Sequence, residues 1–116
     1  MSTKRFFETA SPQNIIKTKL VAKYFGGWAT IMLRRLKYPG DRLAYIDLFA
    51  GPGKFEDGKA STPLWILNHA IAHPELCKRL TTVFNDKDSN HAEQLQVEVD
   101  ALAGIERLTN PPQILN

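Results

Sequence analysis

From Ile16 to Leu36 the apolar residues Ile16, Val21, Phe25, Trp28, Met32 and Leu36 recur at steps of three to five, the spacing of an amphipathic helix. Ser11 followed by Pro12 is a start signal, because a side-chain oxygen meets the free amides and proline suits the first turn. Gly26-Gly27 weakens the middle of this helix, and Tyr38-Pro39-Gly40-Asp41 ends it. Leu43-Ala44-Tyr45-Ile46-Asp47-Leu48-Phe49 is a short apolar run with one acid inside, the pattern of a buried strand. A loop then runs from Ala50 to Ser61. Thr62-Pro63 repeats the cap-plus-proline signal and opens a helix to about Ala72, where His73-Pro74 ends or kinks it. Thr81-Thr82-Val83-Phe84 reads as a second strand closed by Asn85-Asp86-Lys87-Asp88. Asp88 or Ser89 caps a third helix with Ala92, Leu95, Val99 and Leu102 as its stripe, and Gly104 is its expected C-cap. Ile105–Leu108 is expected to begin a third strand, and Asn110-Pro111-Pro112-Gln113 reads as a turn.

Strands that alternate with helices imply parallel pairing, so the expected fold class is α/β, a Rossmann-like open parallel sheet behind a basic N-terminal helix. The expected organisation is a loose terminus at 1–10, the helix at 11–40 and the first half of a Rossmann-like domain at 41–116. With two clear strands and a prospective third, the chain is expected to be an incomplete, N-terminal part of that fold.

The 116 residues are 43% hydrophobic and 23% charged, an ordinary globular composition that argues against disorder and coiled coil. The single cysteine, Cys77, excludes an internal disulfide and a cysteine-rich zinc site. No apolar run approaches the ~18 residues of a membrane span and there is no signal-peptide core, so a cytoplasmic protein without membrane contact is expected. The net charge of +3 is unevenly spread. Residues 1–42 hold nine basic and two acidic side chains, and residues 43–116 hold six and ten. Lys17, Lys19 and Lys23 are therefore candidate phosphate contacts for nucleic acid, with a plain solvated helix face as the alternative.

In open α/β sheets the ligand lies beyond the C-terminal ends of the strands. Two segments fall there. Asp47-Leu48-Phe49-Ala50-Gly51-Pro52-Gly53 places glycines directly after a strand, where the backbone can approach a ligand. Asp86 follows the next strand, where an acid can accept both hydroxyls of a ribose; its alternative role is helix capping. The candidate cofactor-binding residues are Asp47, Phe49, Ala50, Gly51, Gly53 and Asp86. The dinucleotide fingerprint is incomplete, since position 56 is Glu and Asp86 lies too far on, and S-adenosylmethionine fits the pattern better than NAD. Gly53-Lys54-Phe55-Glu56-Asp57-Gly58-Lys59-Ala60 matches the phosphate-loop spacing but has Ala where magnesium needs Ser or Thr. His69 and His73 stand four apart without a third ligand, so no metal site is expected, and Trp28 and Trp65 are expected to fill the core.

Lys19-Leu20-Val21-Ala22-Lys23-Tyr24-Phe25, Tyr45-Ile46-Asp47-Leu48-Phe49-Ala50-Gly51-Pro52-Gly53-Lys54-Phe55-Glu56-Asp57-Gly58, Ser61-Thr62-Pro63-Leu64 and Phe84-Asn85-Asp86-Lys87-Asp88 together resemble the N-terminal part of the bacterial three-Cys-motif partner proteins. The resemblance spans roughly residues 15–90. The core motif is also similar to the first motif of cytosine-C5 methyltransferases, whose Pro-Cys nucleophile is absent here. The resemblance implies a class I, S-adenosylmethionine-dependent methyltransferase-like fold and a partner protein that carries a three-cysteine motif. It places Asp47, Gly51 and Gly53 on the methionine side of the cofactor and Asp86 on the ribose. Two other functions stay open: a non-catalytic interaction module of the same fold, and a phosphate-loop nucleotide-binding protein.

Overall fold

The first strand ends where Asp47 turns its carboxylate back on the chain, and that turn sets the frame for the rest. The computed structural model describes residues 12–55 and 57–116; the expected loose terminus, Ser11 and Glu56 lie outside the described residues. Elements follow in the order α1 (Pro12–Arg35), β1 (Leu43–Asp47), α2 (Thr62–Ile71), α3 (Pro74–Arg79), β2 (Leu80–Asn85), α4 (Ser89–Asp100), a 3-10 turn (Ile105–Arg107) and β3 (Gln113–Leu115). The strands form one parallel sheet in the order β1-β2-β3. The chain is therefore an α/β protein with an open three-stranded sheet.

Register fixes which side chains share a face. Leu43 lies beside Leu80, Tyr45 beside Thr82, Asp47 beside Phe84, and Phe84 beside Ile114. These residues face the helices. Leu43, Leu80 and Phe84 join Phe25 and Ala29 of α1, Ile66 and Leu67 of α2, Leu76 of α3, and Leu95 and Val99 of α4 in one core cluster. The opposite face, with Ala44, Ile46, Val83 and Leu115, contributes no residue to that cluster's buried set. All strand side chains alternate between faces, so the same five-residue strand is buried on one side and bare on the other.

α1 carries apolar residues on two faces. Val21, Phe25, Ala29, Met32 and Leu36 pack inward. Ile16, Leu20, Tyr24, Trp28 and Ile31 are exposed by 56, 51, 59, 37 and 54%. Trp28 is thus a surface residue and not a core one, while Trp65 is half-buried against the core. The turn after α1 is pinned: Asp41 accepts from the amides of Lys37 and Tyr38, and Arg79 of α3 donates to the carbonyls of Tyr38 and Asp41.

Three expectations need correction. Thr62 does not cap α2: Ser61 holds the cap position, and the Thr62 hydroxyl instead bonds Thr18 of α1 at 3.1 Å. Gly104 does not cap α4, which ends at Ala101; its left-handed φ of 86° starts the 3-10 turn, and Ile71 sits where a Cβ would project. Ile105–Leu108 is not a strand, because that turn consumes it; the third strand is Gln113–Leu115, after the proline pair.

Candidate functional site

The loop after β1 is stitched to the end of β2 by its own backbone. Ala50 donates to the Asn85 carbonyl at 3.0 Å, and Gly51 donates to Asp86 Oδ2 at 2.9 Å. Gly51 takes φ 73°, a conformation that costs a residue with a Cβ ~1–2 kcal/mol. The other Asp86 oxygen, Oδ1, accepts from the Asp88 amide at 2.8 Å and lies 3.6 Å from His91 Nδ1. Asp88 caps α4 by accepting from the amides of Asn90 and His91, as its position before the helix implies. Its Oδ2 lies 3.7 Å from His91 Nε2. The imidazole is thereby bracketed by two carboxylates. β3 buttresses the same point from behind: Asp86 donates its amide to Leu115, and Asn116 donates to the Asp86 carbonyl.

These residues border a cavity of about 530 Å³ lined by Leu48, Phe49, Asn85, Asp86, Lys87, Asp88 and His91. Its size falls in the range of small-molecule sites. Phe49 is 78% exposed, so its ring is free to stack against a planar ligand. Of the residues singled out in the sequence, Phe49 and Asp86 line this cavity, and Ala50 and Gly51 tie its wall together.

Asp47 and Gly53 do not line this cavity. Asp47 is buried and ion-paired to Lys17, whose ammonium lies 3.1 Å from both carboxylate oxygens and donates to the Phe49 carbonyl at 2.9 Å. The Phe49 amide donates to Asp47 Oδ1 at 3.0 Å. The cation beside Asp47 is therefore part of the chain. Tyr45, one strand position earlier on the same face, has its phenol pushed up to about 12 by burial and then by the Asp47 charge, which keeps it neutral. Gly53 has φ 99°, and an added Cβ would stand 2.9 Å from Leu95 Cδ1. It serves the packing of the loop on α4, reinforced by the Lys54–Glu98 ion pair at 2.8 Å.

Because Lys17 is committed to Asp47, the basic face of α1 offers Lys19 and Lys23, both exposed, and the Lys23 ammonium lies 5.4 Å from the Tyr24 ring centroid. The phosphate-loop spacing folds as a small hairpin. Lys54 bridges Ala60, Phe55 donates to the Lys59 carbonyl, Gly58 donates to Phe55, and Asp57 accepts from Lys59. The Phe55, Gly58 and Lys59 amides are therefore engaged within the hairpin rather than turned to a phosphate. Cys77 is buried, with its thiol donating to the Ala70 carbonyl at 3.2 Å. Among the described residues no group of three or more His, Cys, Asp or Glu side chains is placed to hold a metal. No described helix is long and apolar enough to cross a membrane.

Sequence reasoning missed Lys17 as the partner of Asp47 and His91 as a wall of the cavity. The first had no local signal, since thirty residues separate the pair. The second had one: Asp88 at the cap position and His91 three residues on place the ring over the first turn. A scan of protein-family models, a search of curated proteins and a search of solved structures each return no match to the chain.

Proposed function

We propose that the chain is the cofactor-binding half of an S-adenosylmethionine-dependent, methyltransferase-like protein of the three-Cys-motif partner type, built on a Rossmann-like sheet. The observation that carries this reading is the Asp86 carboxylate at the carboxyl end of β2, set against the glycine turn after β1 at one edge of a nucleoside-sized cavity. The strand order β1-β2-β3, all parallel, is that of the first half of a doubly wound sheet.

The residues fit the nucleoside end of the cofactor. Asp86 is 14% exposed at its side chain and has lone pairs left for ribose hydroxyls after accepting from Gly51 and Asp88. Phe49 supplies an exposed ring for the base. When bound, the cofactor would supply an electrophilic methyl group; the contribution of this chain is to bind and orient it. The amino-acid end is less open, because Lys17 holds the Asp47 carboxylate and the Phe49 carbonyl. If the acceptor is nucleic acid, Lys19 and Lys23 are exposed phosphate contacts on α1 with no ion pair to a carboxylate among the described residues. A partner carrying a three-cysteine motif and a cytoplasmic location belong to the same proposal by resemblance.

Calorimetry of the whole chain with S-adenosylmethionine tests the reading. Binding is expected, and Asp86→Ala should weaken it by about ten- to a hundred-fold, the effect of one charged hydrogen-bond partner. No heat of binding with a folded chain sinks the reading. Binding that Asp86→Ala leaves unchanged refutes the ribose assignment alone.

A further inference from the structure

His91 lies in the first turn of α4, three residues after the Asp88 cap, and lines the cavity beside Asp86. Its ring nitrogens face two different carboxylates. Nδ1 lies 3.6 Å from Asp86 Oδ1, and Nε2 lies 3.7 Å from Asp88 Oδ2. The three side chains therefore do not converge on one point, as ligands to a metal must. Both separations are just beyond hydrogen-bond reach. A gap of this size between two polar atoms invites a third polar group to bridge it. The two carboxylates also differ in solvation: the Asp86 side chain is 14% exposed and that of Asp88 is 48% exposed. Water screens the Asp88 charge more, so Asp86 exerts the stronger pull on the single N–H of a neutral imidazole and sets it on Nδ1. An imidazolium carries a hydrogen at Nδ1 as well. In either charge state Nδ1 is a donor beside Asp86 Oδ1, an acceptor that already takes the Asp88 amide at 2.8 Å and has a lone pair left. A donor and an acceptor set this far apart suit a group that is both, which is a hydroxyl.

We propose that Asp86 and His91 together read one hydroxyl of the ligand's ribose, which donates to Asp86 Oδ1 and accepts from His91 Nδ1. The assignment deepens the nucleoside reading of the cavity and rests on it. An oxygen about 2.8 Å from each atom completes both bonds. The other ribose hydroxyl is left to Asp86 Oδ2, beside the Gly51 amide. His91 is then a specificity-determining residue. A free hydroxyl satisfies both partners. A methoxy group accepts from His91 but leaves Asp86 without a donor, and a hydrogen atom serves neither. A site that hydrogen-bonds a hydroxyl rejects the analogue lacking it, because its own polar groups then go unpaired. The His91 side chain is 32% exposed, so water re-pairs part of what is lost. Rejection on the order of ten-fold is expected here, against far larger factors in a fully buried site.

Calorimetric titration of the whole chain with adenosine, 2′-deoxyadenosine and 3′-deoxyadenosine tests this. Adenosine is expected to bind, and at least one deoxy analogue to bind about ten-fold more weakly. His91→Ala should shrink that preference at least about three-fold for one analogue and leave it unchanged for the other. His91→Asn keeps a side-chain N–H near the place of Nδ1 and should retain most of the preference. The Asp88 cap is untouched in both variants, so circular dichroism should show each folded like the parent. A preference that survives His91→Ala in full overturns the assignment and leaves the nucleoside reading standing. Equal affinity of the parent for all three nucleosides does the same. A His91→Ala variant that weakens all three by one common factor shows a structural role and overturns it too. No binding of adenosine by the folded chain also overturns the assignment; if S-adenosylmethionine fails as well, the reading beneath it falls.

Discussion

Asp47 is 6% exposed and Lys17 is its one cation among the described residues, reached from a helix thirty residues earlier. A carboxylate out of water is costly unless it is paired and hydrogen-bonded, and here the Lys17 ammonium and the Phe49 amide meet that need together. Removing the cation leaves the carboxylate buried with a single donor. Lys17 is 34% exposed at its side chain, so solvent screens part of the attraction. Lys17→Met is expected to lower stability by about 1–2 kcal/mol in urea unfolding, and Asp47→Asn added to it should restore part of that loss. Additive effects in the double variant would show that the two side chains are not coupled. The sequence placed Asp47 inside a strand running to Phe49, whereas the structure ends β1 at Asp47 itself. The sequence offered no means of seeing that the cation nearby is internal, because pairing over that separation depends on how α1 crosses β1. The tight contact at Gly53 was hidden for a related reason: an added Cβ there would meet Leu95, a residue of α4 far along the chain.

The junction between α1 and α2 is built on aromatic rings. Trp65, His69 and His73 stand four residues apart on and just beyond α2, and their rings stack with centroids 5.2 and 4.5 Å apart. Phe25 of α1 meets both Trp65 and His69 edge-on, and Gly26 lets the helices close: an added Cβ there would be 3.3 Å from His69 Cε1. Burial, and then repulsion from His73, pushes the His69 imidazole below its ordinary value. The sign follows from proton uptake. As pH falls through about 6.5 the unfolded chain takes up a proton at this position while the folded one resists, so the stability contributed by neutral His69 is present above that value and is lost as pH falls through the folded one. Thermal unfolding should therefore occur at lower temperature as pH drops from about 7 to about 5, and His69→Gln should flatten that dependence. An unchanged slope in the variant would assign the effect elsewhere. At this scale the long periodic elements were legible: α1, α2, β1, β2 and the Asp88-capped α4 follow their patterns. The short ones were not. α3 has six residues and β3 has three, too few for either period to repeat. Ile105–Leu108 looked like a strand by composition, but a left-handed glycine and the return to Thr109 bend it into a turn, with the Thr109 amide bonded to Cys77.

At the scale of the molecule, the described residues form a sheet with one covered face. Helices pack on the side of Leu43, Leu80 and Phe84, while Ile46 at 61% and Leu115 at 48% exposure lie on the other. Parallel sheets are almost always covered on both faces, because every strand then buries both sets of its side chains. The burial pattern of β1, buried at Leu43 and Asp47 and exposed at Ala44 and Ile46, is that of a strand half covered. An apolar fluorescent dye should therefore bind the native chain. Ile46→Thr and Leu115→Thr each place a β-branched, strand-compatible residue while removing apolar surface from that face. Together they should cut the native-state dye signal severalfold. Unfolding midpoints should move little, within about 1 kcal/mol, because both side chains are already half or more in water. A large loss of stability would mean that these residues are buried in solution. An unchanged dye signal would place the apolar surface on the α1 stripe alone.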